Sequence, residues 1–273
     1  MSMNPIIKYA NNSFTLPNTC LRLRQMLDDP RSGLRDMAKV MSVDPSLSAK
    51  VLKLANSALF RFPAQVTSVP KALSVIGGEA AYNISMAETA NLAFKTFNSS
   101  LLDFTLFWEK SVRTGLIAQS IAQQMKERGS ERFFVMGILM NLSELVCAAR
   151  MEEKYQRYIN KDAHALPVEA QELLFGFTFS ECSGHILAGW KLPENLYTAM
   201  LGLSFNKQKQ FSKDESILYM ATTMATLNQG QSLLQNSNLN QQAVHSIGLN
   251  DYEYDIIEQF AQSETSKIAQ VIN

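Results

Sequence analysis

The 273-residue chain has few of the residues from which reactive centres are usually built. It holds three histidines and three cysteines, with no His-Asp dipeptide and no Cys-x-x-Cys pair. Cys20, Cys147 and Cys182 are odd in number and widely spaced, so they offer no disulfide framework and read as reduced thiols of a cytoplasmic protein. Neither sign of charge is in excess, with 25 basic and 25 acidic residues. Proteins that live on phosphate backbones need a cation for each phosphate they neutralise, so no nucleic-acid partner is expected. The opening MSMNPIIKYANNS lacks the charged start and long apolar core of a signal peptide. The longest apolar run, FFVMGILM at 133–140, falls far short of the roughly 20 residues that cross a bilayer, so no membrane is expected. Convincing period-two alternation with β-branched residues is missing too, which argues against strands.

What the chain does have is helical periodicity from end to end, on a composition that is 46% apolar. The pattern predicts helices at 18–29, 34–41, 45–60, 70–77, 79–97, 104–128, 131–149, 151–160, 166–174, 180–189, 194–204, 214–234 and 251–271. Breaks fall at Pro30-Arg31-Ser32-Gly33, Pro63, Gly77-Gly78, Asn98-Ser99-Ser100, Gly129-Ser130 and Leu192-Pro193. The fold expected is all-α. Asn98-Ser99-Ser100 divides an N-terminal five-helix half, residues 1–100, from a second helical half, 101–212. Residues 213–273 read as C-terminal helices packed on the same domain, with an exposed connection in the Gln- and Asn-rich stretch 228–242.

DPSLSAKVLKLANSALF, residues 44–60, is an amphipathic helix with one oddity. Asp44 suits the N-cap and Pro45 the first helical position, and the apolar residues recur at three and four. Asn56 and Ser57 interrupt that face just before Pro63 ends it. Either the Asn56 amide is buried and satisfies backbone groups where the chain turns, which is the commoner fate of such amides, or it shapes a surface for a partner.

Around this stretch lie Leu16-Pro17, Leu47-Ser48, Ala55-Asn56-Ser57, Ala72-Leu73 and Gly77. Together with Asp44-Pro45 they resemble the N-terminal signature of the HDOD domain, the HD-related output domain of bacterial signalling proteins, over roughly residues 14–210. The resemblance implies an HD-like helical fold related to metal-dependent phosphohydrolases, the HD-GYP cyclic-dinucleotide phosphodiesterases above all. Against the metal-binding pattern of those relatives, Lys110 in Phe107-Trp108-Glu109-Lys110-Ser111 stands where the first His would. GILMNLSEL, 137–145, has Met140 for His and Asn141 for Asp of the namesake doublet. Phe179 takes a further His position, ahead of a matching Glu181, Gly184 and Trp190-Lys191-Leu192-Pro193. Leu203 and Ser204 replace a His pair, and Thr222 falls near the last Asp.

A hydrolytic divalent ion needs imidazoles and carboxylates, and neither a thioether nor a carboxamide brings the charge it requires. Lys110 would set a cation beside it, and at an effective dielectric of about 20 two unit charges 4 Å apart interact by about 4 kcal/mol. His164, His185 and His245 occupy none of the matched positions. The resemblance therefore implies a non-catalytic output or regulatory module with no metal and no cofactor, acting through signalling-protein partners. The vestigial cleft is left as a candidate recognition surface for a protein segment or small ligand, and homo-oligomerisation stays open. The alternative is an HD-type phosphohydrolase or nucleotide-binding protein with a rearranged site. Cys182 and His185, at i and i+3, are two ligands where a metal site needs more, and read instead as helix packing.

Overall fold

The computed structural model describes residues 3–60, 62–97, 99–160, 167–203, 210–226 and 239–272, and those residues form helices without a strand. In chain order they are α1 (Asn4–Ser13), α2 (Asn18–Asp28), α3 (Leu34–Ser42), α4 (Pro45–Ala55), α5 (Val69–Ile76), α6 (Gly78–Thr96), α7 (Phe104–Gln124) and α8 (Glu131–Leu139). There follow α9 (Leu142–Arg150), α10 (Glu152–Ile159), α11 (Pro167–Phe175), α12 (Phe179–Gly189), a 3-10 turn (Glu194–Leu196), α13 (Thr198–Leu201), α14 (Lys213–Thr226), α15 (Gln241–Ile247) and α16 (Asp251–Ile272).

Five expectations need correction. α4 stops at Ala55 rather than running to 60, because Asn56 leaves the helical conformation with its ψ at 0°. The helix expected at 131–149 is two, broken by a turn at Met140-Asn141. The helix expected at 104–128 ends at Gln124, where Lys126 enters the left-handed region at φ 57°. The segment 194–204 is a 3-10 turn followed by the one-turn α13. α1 and α15 were not foreseen, and the far end of the helix expected at 214–234 lies outside the described residues. The apolar character around α8 also reaches further than the eight-residue run: Glu131–Arg150 is long and apolar enough by composition to cross a membrane. It is used otherwise here, since 89% of that window is buried inside the protein.

α7 is the axis of the second half and packs against α8, α14 and α16. Its approach to α8 is set by two glycines. A Cβ on Gly115 would lie 2.4 Å from the Phe134 carbonyl oxygen, and one on Gly137 would lie 2.5 Å from the Gly115 Cα. Only hydrogen fits at either position, so the two backbones touch. α6 plays the corresponding part in the first half, packing on α2, α4, α5 and α8. Phe94 on α6 meets Trp108 on α7 edge-on at 5.7 Å, a preferred aromatic geometry. The apolar residues from Ile6 to Ile272 form one continuous core.

The outermost helices cross the seam between the halves. α1 packs on α12 and α9, with the Asn11 side chain over Gly189, and α16 packs on α7, α4 and α6. The Trp108 indole donates to the Ala269 carbonyl at 3.1 Å, and the Asn91 amide donates to that of Ile272.

Candidate functional site

The motif residues of the first half sit at chain turns. The Asp44 carboxylate accepts from the Leu47 N–H at 3.1 Å, an N-cap on α4, and the Ser48 hydroxyl donates back to the Met41 carbonyl at 3.1 Å. Asn56 is exposed as a residue, not buried, yet its amide is fully used. It donates to the Leu52 and Val66 carbonyls, both at 2.8 Å, and accepts from the Val66 N–H at 2.8 Å. One side chain thus serves both polar groups of Val66, as a strand partner would, and pins the loop onto the end of α4. Ser57 donates to Leu54 at 2.7 Å and accepts from Leu59. Gly77 holds φ 84° between α5 and α6, a conformation that favours glycine.

In the second half, the turn between α8 and α9 is tied to the start of α12 by two buried serines. Ser143 gives its N–H to the Ser183 hydroxyl at 2.9 Å and its own hydroxyl to the Phe179 carbonyl at 2.7 Å. Ser183 in turn donates to the Met140 carbonyl at 3.1 Å. Met140 and Phe179 are therefore held close through their backbones, and both side chains are buried. The Thr222 hydroxyl on α14 reaches the Met140 sulfur at 3.4 Å. Asn141, also buried, turns its amide back to the Gly137 carbonyl at 3.3 Å. Leu203 enters only through its carbonyl, which accepts from the N-cap hydroxyl of Thr178 at 3.2 Å. Ser204 lies outside the described residues, as does His164.

Lys110 reaches a different set of groups. Its ammonium lies 3.2 Å from the Glu144 carboxylate, with the lysine side chain 33% exposed and the glutamate 8%. The other Glu144 oxygen accepts from the Tyr155 hydroxyl at 3.2 Å. Tyr158, edge-on to Phe179 at 5.1 Å, is held by the Gln171 amide, whose oxygen accepts from the Phe179 N–H. Burial pushes the Lys110 ammonium down, but the facing Glu144 carboxylate and the Tyr158 phenol outweigh it, leaving the group above its ordinary 10.5. Burial first, and then Glu144, lifts the Tyr158 phenol to about 12 and raises Tyr155 as well. The network holds one cation and one carboxylate, wrapped by phenols that stay protonated at neutral pH.

Of the seven positions named from the sequence, Met140 meets Thr222 and is tied through Ser183 and Ser143 to the backbone of Phe179, whose ring meets Tyr158 beside the Lys110–Glu144–Tyr155 network; Asn141 and Leu203 serve the backbone, and Ser204 is not described. Glu144, Tyr155, Tyr158 and Gln171 were missed. One signal existed for Glu144, a carboxylate four residues past Met140 inside the apolar run of α9. Cys182 is buried while His185 is exposed, so they face apart. Among the described residues no three His, Cys, Asp or Glu side chains are grouped as metal ligands.

The sequence profile of the HDOD domain matches residues 14–202. A Treponema pallidum (strain Nichols) protein, described only as uncharacterized, is 23% identical over 185 residues, 66% of this chain. The chain spans 35% of that relative's length. A Shewanella amazonensis SB2B structure, provisionally named a phosphohydrolase, superposes with a TM-score of 0.72 at 19% identity over 98% of both chains. A Geobacter sulfurreducens HDOD domain protein of unknown function gives 0.70 at 19% identity, covering 99% of this chain and 98% of its own. A Marinobacter aquaeolei VT8 protein, provisionally named a signal transduction protein, gives 0.67 at 18% over 96% of this chain and 60% of its own. At such identities the likeness speaks for the fold, and the fold is the all-helical one described.

Proposed function

The chain belongs to the HDOD domain family, and on that premise we propose that it is a non-catalytic output or regulatory module of bacterial signal transduction, working in the cytoplasm through contacts with partner proteins. The observation that carries this reading is the fate of the HD ligand positions. Lys110 supplies an ammonium already engaged by Glu144, and Met140 and Phe179 supply buried apolar side chains. A divalent ion needs lone pairs and negative charge from its ligands, whereas the matched positions carry no carboxylate and the neighbouring Glu144 is committed to a cation.

The partner's surface is a second part of the proposal. With Met140, Phe179 and Asn141 buried, Lys110 and the half-buried Thr222 are, among the described residues, the matched positions with side chains nearest solvent. Recognition at the old cleft would therefore run through Lys110.

The test is elemental analysis of protein purified without chelator, joined to an assay for cyclic-dinucleotide hydrolysis. The expected result is substoichiometric iron, manganese and zinc and no turnover. Near-stoichiometric metal with turnover would return the protein to the phosphohydrolases. An affinity capture from native cytoplasm, run with the parent and with Lys110→Glu, then reads the partner: loss of one captured protein on charge reversal supports the cleft as its docking point.

A further inference from the structure

Away from the HD positions, a cavity of about 200 Å³ opens where the two halves of the chain meet. α2 brings Arg24 to its wall and α6 brings Asn83, while Arg128 comes from the turn after α7 and Arg132 from α8. None of these residues belongs to the motif or to the ligand positions discussed above.

The wall carries three guanidinium groups against one carboxylate, Glu79. Arg24 spends one N–H on Asp28 at 2.7 Å. Arg132 is more committed, to Asp214 at 2.6 Å and to the Arg128 carbonyl at 3.1 Å. The Arg128 guanidinium is exposed and has no ion-pair partner among the described residues, so all five of its donors are free. One group points to a ligand independently. The Arg132 Nε is buried and has no hydrogen-bond partner among the described residues, and a buried donor left unpaired is costly, so it calls for something to bond it. Asn83, 8% exposed, lines the same cavity with an amide that no described residue engages.

We propose that this cavity binds a small phosphate-bearing anion, with the phosphate held by Arg128 and Arg24 and the polar body of the molecule by Asn83. A planar carboxylate is satisfied by one guanidinium fork, whereas a tetrahedral phosphate accepts from donors arriving from several directions. Here the donors come from three separate elements, α2, the turn after α7 and α8. The volume lies below the roughly 300–1,000 Å³ of ordinary ligand pockets, which fits free phosphate or a small phosphate monoester and excludes a dinucleotide. Such a ligand would touch both halves at once, α2 and α6 on one side and the α7–α8 turn on the other. Nothing in this site depends on whether the HD positions are inert.

Calorimetric titration and thermal shift at fixed ionic strength test it with three probes: inorganic phosphate, glycerol phosphate and succinate. The expected result is saturable binding of a phosphate probe, weakened about tenfold or more by Arg128→Ala and by Asn83→Asp, as loss of a charge-assisted contact predicts. Tighter binding of glycerol phosphate supports an organic phosphate, and tighter binding of inorganic phosphate supports the free ion. No saturation by either phosphate, equal affinity for succinate, or binding untouched by Arg128→Ala overturns the proposal. Arg128 is exposed, so Arg128→Ala reads the site even where Asn83→Asp fails to fold.

Discussion

Asn56 shows how much a single exposed side chain can hold. Its three bonds satisfy Leu52 at the end of α4 and both polar groups of Val66, so Asn56→Leu should destabilise by about 1–3 kcal/mol, read as a lower urea midpoint at unchanged slope. Unchanged stability together with lost partner binding would make the motif a recognition surface instead. Lys110 sets a second case. Lys110→Met would leave a Glu144 carboxylate, 8% exposed, with only the Tyr155 hydroxyl among the described residues. The expected loss is about 1–3 kcal/mol, below that of a fully buried pair, because the lysine is a third exposed. The folded-state pKa of Lys110 is raised, so its contribution is complete below its ordinary 10.5 and is lost only as pH climbs through the higher folded value. The gap between parent and variant should thus stay flat from about pH 6 to about pH 10 and close only above the ordinary 10.5; a gap that closes near neutrality would contradict the pairing. Lys110 could be picked out because motif spacing survives when ligands do not. Its partner could not, because a contact across 34 residues leaves no trace in periodicity.

At the scale of elements, helix type and number were largely legible and helix ends were not. Apolar periodicity marks α7, and Asp103 caps it visibly, accepting from Thr105 and Leu106. Its true end is a pair of bonds, Lys126 N–H to Gln123 and Glu127 N–H to Ala122, formed around a left-handed lysine where glycine is the usual signal. α12 ends the same way at Lys191. The turn at Met140-Asn141 was invisible because nothing in GILMNLSEL punctuates it; buried Ser143 and Ser183 make it, and they act across 40 residues. The crossing of α7 and α8 is the least forgiving element of the fold. Gly137→Ala would drive a methyl into the Gly115 backbone, so an expected cost of about 2–4 kcal/mol should lower the melting temperature steeply. A variant that melts with the parent would show that the helices separate cheaply. The same change on Gly33, which has open space around its Cβ position, serves as the control.

On the scale of the whole molecule, the seam at residue 98–100 divides the sequence more clearly than it divides the core. α1 leaves the first half to pack on α9 and α12, and α16 returns from the end of the chain to α4 and α6. Neither half should then fold alone. Removing residues 251–273 exposes the faces of Trp108 and Asn91 that α16 covers, and should give a protein that keeps far-ultraviolet helicity but loses near-ultraviolet signal and binds a hydrophobic dye. A cooperative, dye-negative truncation would mark α16 as an appendage. Sequence patterning could give α16 its length but not its destination, since an amphipathic face does not name what covers it.

The bond from Trp108 to Ala269 has a consequence for the order in which the protein is made. The two residues are 161 apart in the chain, and at ribosomal rates of about 5–20 residues per second Trp108 waits roughly 8–32 s for its acceptor to be synthesised. Through that interval the half-built chain carries an aromatic flank that α16 has yet to cover, the kind of surface on which nascent chains aggregate or recruit chaperones. Slow codons placed between α7 and α16 would lengthen the exposure, and soluble yield should fall with them although not one amino acid has changed.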